Sequence, residues 1–219
     1  MTKRSLALTT GICATIALIS IFAFDRSIAL AVHNSTFENA AFFAGGEYWL
    51  DVASGRQLLG YSHRSLSGYL LGGSLIAIGL IWWLLRRTSY VARGLVFSGS
   101  VQLFTIFCAS LIKGWMGRLR PNQLIQQGNW EHLWFGGGDS FPSGHNAFYW
   151  GLFLPLAYLF PKYRIPLLII PLFMAFARID EGYHFLSDVL GSIALAALVT
   201  LLAAALFGRW VKPVAKRRA

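Results

Sequence analysis

Three short segments carry the residue types that handle phosphate. They are KGWMGRLRP at Lys113 to Pro121, PSGH at Pro142 to His145, and RIDEGYHFLSD at Arg178 to Asp188. Lys113, Arg120 and Arg178 supply three positive charges; an arginine forks two donors onto phosphate oxygens and a lysine acts as a point charge. His184 and Asp188 are four residues apart, which puts them on one helical face if a helix begins early enough. A carboxylate bonded to one ring nitrogen fixes the tautomer and makes the other nitrogen a better nucleophile. His145 is a second imidazole, able to donate a proton near neutral pH.

The elements that must position these groups are legible in the composition. Of the 219 residues, 56% are hydrophobic and 13% charged, a balance that points to lipid as the solvent. Uncharged stretches at Ser5 to Phe24, Ser65 to Leu85, Gly94 to Ile112 and Val189 to Gly208 approach the roughly 20 residues that cross a hydrocarbon core. Asn146 to Phe160 and Ile165 to Ala177 are shorter but extendable, giving an expected all-α, six-span polytopic bundle. The first stretch has a competing reading as a secretory signal, with Lys3 and Arg4 before it and Ala29-Leu30-Ala31 as a cleavage site, but its apolar run exceeds a usual signal core. Cys13 and Cys108 fall inside spans as small buried hydrophobes, with no disulfide or metal-ligand pattern.

If the spans alternate, Lys3, Arg4, Arg86, Arg87, Arg93, Lys162, Arg164, Arg209, Lys212, Lys216, Arg217 and Arg218 share one side with no carboxylate. All nine acidic residues fall on the other. The basic side is then cytoplasmic, and the net charge of +10 reflects topology rather than a nucleic-acid partner. The three motifs follow the third span, open the fourth and bridge the fifth and sixth, so all face outward together.

The order and spacing of these motifs resemble the three-part signature of the type 2 phosphatidic acid phosphatase superfamily, K-x6-RP, PSGH and SR-x5-H-x3-D. The resemblance implies a single integral membrane domain over residues 1–219 with its catalytic motifs within 113–188. It implies that His184 attacks phosphorus to form a phosphohistidine, Asp188 supports it and His145 protonates the leaving group. Lys113, Arg120, Ser143, Gly144 and Arg178 would bind phosphate, with no metal and no cofactor. Ala177 departs from the pattern, standing where the family commonly has serine.

The implied partner is a phosphorylated lipid reached by lateral diffusion: undecaprenyl diphosphate, phosphatidylglycerol phosphate, phosphatidic acid or a lipid A phosphate. The implied location is a bacterial inner membrane with the site facing the periplasm or exterior. Competing readings are a lipid phosphotransferase using the same intermediate, a non-enzymatic lipid transporter and a vanadate-binding oxidase. Arg118 reads either as a rim charge or as an additional phosphate contact. Gly136 to Gly138 reads mainly as a flexible lip, and Trp130, Trp134 and Phe135 as interfacial anchors. His33, His63 and His132 read as surface or interfacial residues, not metal ligands. The outer segment Asp25 to Arg64 is expected to be partly buried, without a readable fold.

Overall fold

The structure is a computed structural model that describes residues 1–35, 40–56, 64–87, 89–208 and 210–211. His63 and most of the basic C-terminal tail lie outside the described residues, which contain helices and no strand. In chain order these are α1 (Lys3–Ala23), α2 (Asp25–His33), α3 (Ala40–Ala53), α4 (Arg64–Leu85), α5 (Tyr90–Met116), α6 (Pro121–Gln127), α7 (Gly144–Leu159), α8 (Arg164–Asp180) and α9 (Leu186–Leu206).

Among the described residues, four helices are long and apolar enough to cross a bilayer, within Lys3–Ala23, Leu66–Leu85, Tyr90–Gln127 and Leu186–Leu206. Their outward faces leave large apolar side chains such as Phe22, Ile81, Leu85 and Leu206 exposed, as lipid-facing surfaces do. The expected fourth and fifth spans correspond to α7 and α8, which have 16 and 17 residues. Both are shorter than a usual span and contain an internal proline, Pro155 and Pro171.

α7 is the central helix: His145 to Trp150, Leu154, Ala157 and Leu159 are all buried, against α5, α8 and α9. α1 lies along α9, where Leu6 joins Val199 and Ala204 in the main apolar core. α4 packs on α5 through small residues; a Cβ at Gly99 would stand 2.6 Å from the Gly72 carbonyl oxygen, and one at Gly79 would stand 2.8 Å from that of Ala92. Such close backbone approach is how helices associate where lipid supplies no hydrophobic contrast.

Among the described residues, the outer segment forms two helices. α2 packs near α6, α8 and α9, and Ala29 of the Ala-Leu-Ala sequence contributes to a small cluster with Leu119, Leu124 and Phe185. α3 packs on α8, with Phe42 and Phe43 against Phe173.

Candidate active site

Four helix ends meet at one end of the bundle: the ends of α5 and α8 and the starts of α7 and α9. α5 terminates at Gly117, whose φ of 54° forms a left-handed C-cap that only glycine adopts without cost. The chain then turns inward, and backbone bonds join Leu119 N–H to the Leu133 carbonyl, Gly138 N–H to that of Gly117 and Ser140 N–H to that of Arg118. The glycine run is therefore not a flexible lip. A Cβ on Gly138 would lie 2.3 Å from the Arg118 carbonyl oxygen, so the run permits two backbone segments to pack directly. It holds Asp139 and Ser140 beside the end of α5.

α7 begins inside the PSGH motif. Ser143 is its N-cap, accepting hydrogen bonds from the backbone and side-chain nitrogens of Asn146, the usual role of serine at that position. The Ser143 N–H donates to the Asp188 carbonyl at 3.1 Å, and Ser192 Oγ donates to the Ser143 carbonyl at 2.9 Å. The start of α7 is thus docked on the first turn of α9. Gly144 is the first helical residue, where the amide N–H has no partner within the helix, and a Cβ there would meet nothing nearer than Lys113 at 3.9 Å.

Arg178 lies in the last turn of α8, and a turn through Gly182, with φ of 66°, leads to α9. α9 starts at Leu186 with Phe185 as N-cap. His184 and Asp188 therefore do not share a helical face: the histidine precedes the helix, and the turn brings its Nδ1 to 3.4 Å from Asp188 Oδ2. The carboxylate also caps the helix, accepting from the Phe185 N–H at 2.8 Å, and gains from the helix dipole.

Lys113, Arg120, Gly144, His145, Arg178 and His184 line one cavity of about 670 Å³. Asp188 and Ser143 stand behind it, completely buried. Burial is the largest influence on His184, which it holds down to about 4, helped by Lys113 and Arg178 and opposed by Asp188. The imidazole is therefore neutral at physiological pH, the form in which an imidazole can act as a nucleophile. Ala177 is fully buried one residue before Arg178.

The two cavity arginines are paired with carboxylates, and the lysine with a backbone carbonyl. Arg120 donates to both oxygens of Asp139, at 2.8 and 2.9 Å, and Lys113 Nζ donates to the Asp139 carbonyl. Nη1 of Arg178 donates to Glu47 at 2.7 and 2.8 Å and to Glu181 at 2.8 Å. Burial and the adjacent Glu47 push Glu181 up to about 8. Burial acts on Glu47 in the same direction, but His145 and Arg178 outweigh it and hold this carboxyl below its usual range. Of this carboxyl pair, Glu181 keeps a proton at neutral pH.

Arg118 is neither a rim charge nor a phosphate contact. It is completely buried, donates to Asp188 Oδ1 at 2.5 Å and Asp25 Oδ2 at 2.6 Å, and is sandwiched by Trp134 and Phe185 at 4.5 and 4.2 Å. Trp134 is consequently a packing partner rather than an anchor, and Trp130 likewise packs near Phe185 and Arg26. Phe135, His33 and His132 are exposed. Sequence alone does not single out Asp25, Glu47 or Asp51 as site residues, nor the Ser140 side chain as a partner of Asp188. For Glu47 and Asp51 a signal existed: two acids at i, i+4 in the otherwise apolar α3. For Asp25 and Ser140 none did.

The profile of the PAP2 superfamily matches residues 94–212, and the chain belongs to that superfamily. It is 33% identical over 135 residues to a lipid A 1-phosphatase of Rhizobium johnstonii, covering 58% of this chain and 55% of that one. It is 32% identical over 124 residues to that of Rhizobium etli, covering 55% and 50%; the chain thus spans about half the length of these two relatives. Over 204 residues it is 25% identical to phosphatidylglycerophosphatase B of Bacillus subtilis, covering 84% and 91%. The crystal structure of a transmembrane PAP2-type phosphatidylglycerolphosphate phosphatase from Bacillus subtilis shares the fold, with a TM-score of 0.54, 22% identity, and coverage of 96% and 98%.

Proposed function

We propose that the protein is a lipid phosphatase that hydrolyses a phosphate monoester or diphosphate through a phosphohistidine on His184. The observation that carries this reading is the convergence of Lys113, Arg120, Arg178, Gly144, His145 and His184 on one cavity, with Asp188 3.4 Å behind the nucleophile. The neutral His184 keeps a proton on Nδ1 toward Asp188 and presents the Nε2 lone pair to phosphorus. Three cations and the first amide of α7 would hold the phosphoryl oxygens, and phosphate would displace Asp139, Glu47 and Glu181 from them. His145 donates a proton to the departing oxygen, and water then cleaves the phosphohistidine.

In this reading α7 and α8 cross the membrane with the other four helices, and the site opens on the non-cytoplasmic face of a bacterial inner membrane. The face is supported by the distribution of lysine and arginine. The substrate candidates are the lipid A phosphate and phosphatidylglycerol phosphate of the relatives, with phosphatidic acid and undecaprenyl diphosphate beside them. The test is phosphate release from these four lipids by the wild type and His184→Ala. Release from a single purified lipid, lost in the variant together with an acid-labile phosphoenzyme, is expected. A strict requirement for an acceptor lipid would identify a transferase, and undiminished release by His184→Ala would refute the mechanism.

A further inference from the structure

α3 meets α7 along a polar seam that phosphate binding does not require. Glu47 and Asp51 are one turn apart in the otherwise apolar α3, Ser54 follows just beyond its end, and the three face His145 and Tyr149, themselves one turn apart on α7. Nε2 of His145 stands 3.2 Å from Glu47 Oε1 and 3.2 Å from Asp51 Oδ2. The Tyr149 hydroxyl donates to Asp51 Oδ1 at 2.9 Å and lies 3.2 Å from Ser54 Oγ. Asp51 has no exposed surface, and Glu47 has 7%.

Two buried carboxylates in a membrane bundle cost several kcal/mol each unless they are well partnered, and they tend to mark function. The ligand atoms of Glu47, Asp51 and His145 lie within 4.8 Å of one another, a spacing that would suit a cation. However, Arg56 is 3.5 Å from Asp51 and Arg178 is 2.7 Å from Glu47. Two guanidinium groups already balance the two carboxylates and oppose a divalent ion. A single proton on His145 adds half that charge, and an arriving phosphate dianion offsets it.

We infer that Asp51 and Glu47 are positioning residues for His145, holding its Nε2–H so that Nδ1 faces the leaving oxygen and supporting the imidazolium until it donates. This rests on the phosphatase reading above. As the Nε2 lone pair of His184 bonds to phosphorus, the bond from phosphorus to the lipid oxygen breaks, and that oxygen takes the Nδ1 proton of His145. The imidazole left behind is neutral and keeps Nε2–H on the carboxylates. Water then gives its proton back to Nδ1 as its oxygen bonds to phosphorus, releasing inorganic phosphate and restoring both histidines.

A general acid matters only for a poor leaving group, and this separates positioning from bulk structure. The experiment compares kcat/KM for phosphatidic acid, or whichever lipid of the panel is hydrolysed fastest, with that for 4-nitrophenyl phosphate, whose phenolate departs without a proton. General acid catalysis supplies roughly 10²–10⁴-fold. The lipid-to-nitrophenyl ratio is expected to fall at least tenfold in Asp51→Asn and in Glu47→Gln, in the direction of His145→Ala, and to recover in part in Asp51→Glu. The ratio is independent of the fraction of folded protein, so a partly misfolded variant still reports. A ratio within twofold of wild type in whichever variant retains nitrophenyl activity would overturn the inference alone. Failure of the wild type on both substrates would instead refute the phosphatase reading, and the inference with it.

Discussion

Nη1 of Arg118 lies 2.5 Å from Oδ1 of Asp188, and neither side chain has any exposed surface. The other carboxylate oxygen accepts from Ser140 Oγ at 2.6 Å and from the Phe185 N–H at 2.8 Å. Asp188 is therefore held from every side before it meets His184. Arg118 is fixed in turn by Asp25 at the start of α2, whose oxygens also accept from the Ser187 N–H and hydroxyl. The orientation of His184, the proposed nucleophile, thus depends on a chain of charge that runs out to a helix distant in sequence.

Removing Arg118 would leave Asp188 and Asp25 buried without a countercharge, a loss of about 3–5 kcal/mol. Arg118→Met is expected to lower the thermal unfolding midpoint in detergent and abolish phosphate release. Arg118→Lys keeps the charge but not the fork, and should fall between. A wild-type melting temperature in Arg118→Met would show that the buried network carries no stability.

The motif residues are legible because they are residue types suited to phosphate at short, fixed spacing, and the alternation of spans brings them to one face. The supporting shell was not legible. Arg118 looks like any loop arginine until the left-handed Gly117 turns it inward, and Asp25 is 93 residues away from it in sequence. The His184 and Asp188 spacing suggested a shared helical face, yet the helix starts too late, and a capping turn sets the pairing instead. Hydropathy marked α1, α4, α5 and α9 clearly. It marked α7 and α8 less clearly, because polar site residues occupy their outer ends.

Gly138 tests the packing of the loop that carries Ser140. An added methyl would collide with the Arg118 carbonyl oxygen, a backbone atom that cannot rotate away. Gly138→Ala is expected to cost about 1–3 kcal/mol, as overpacking does, and to reduce activity by displacing Asp139 and Ser140. Gly128→Ala, where a Cβ meets nothing within 4 Å but φ is 65°, separates backbone strain from collision. It should be the milder of the two.

Because burial lowers His184 to about 4 from an ordinary value of 6.5, the unfolded chain binds a proton between these values that the folded protein does not. Stability should accordingly fall as pH drops from about 6.5 to about 4, with no contribution from this residue above that range. The melting temperature of His184→Asn, which has no such proton to exclude, should be flatter over the same interval. Parallel curves for the two proteins would contradict a neutral buried imidazole.

Glu181 gives an opposite test on the alkaline side. Its carboxyl keeps a proton up to about pH 8 because of burial and the neighbouring Glu47, while its Oε2 stands 2.8 Å from Nη1 of Arg178. Above that pH it becomes a second carboxylate competing with phosphate for the same guanidinium. KM for the lipid should rise as pH passes 8 in the wild type, whereas Glu181→Gln, permanently neutral, should hold its KM to higher pH. In the proposed reaction the difference lies in KM rather than kcat, because Glu181 meets Arg178, a proposed phosphate ligand, and not His184. If both proteins show the same alkaline rise in KM, Arg178 is not the group that Glu181 governs.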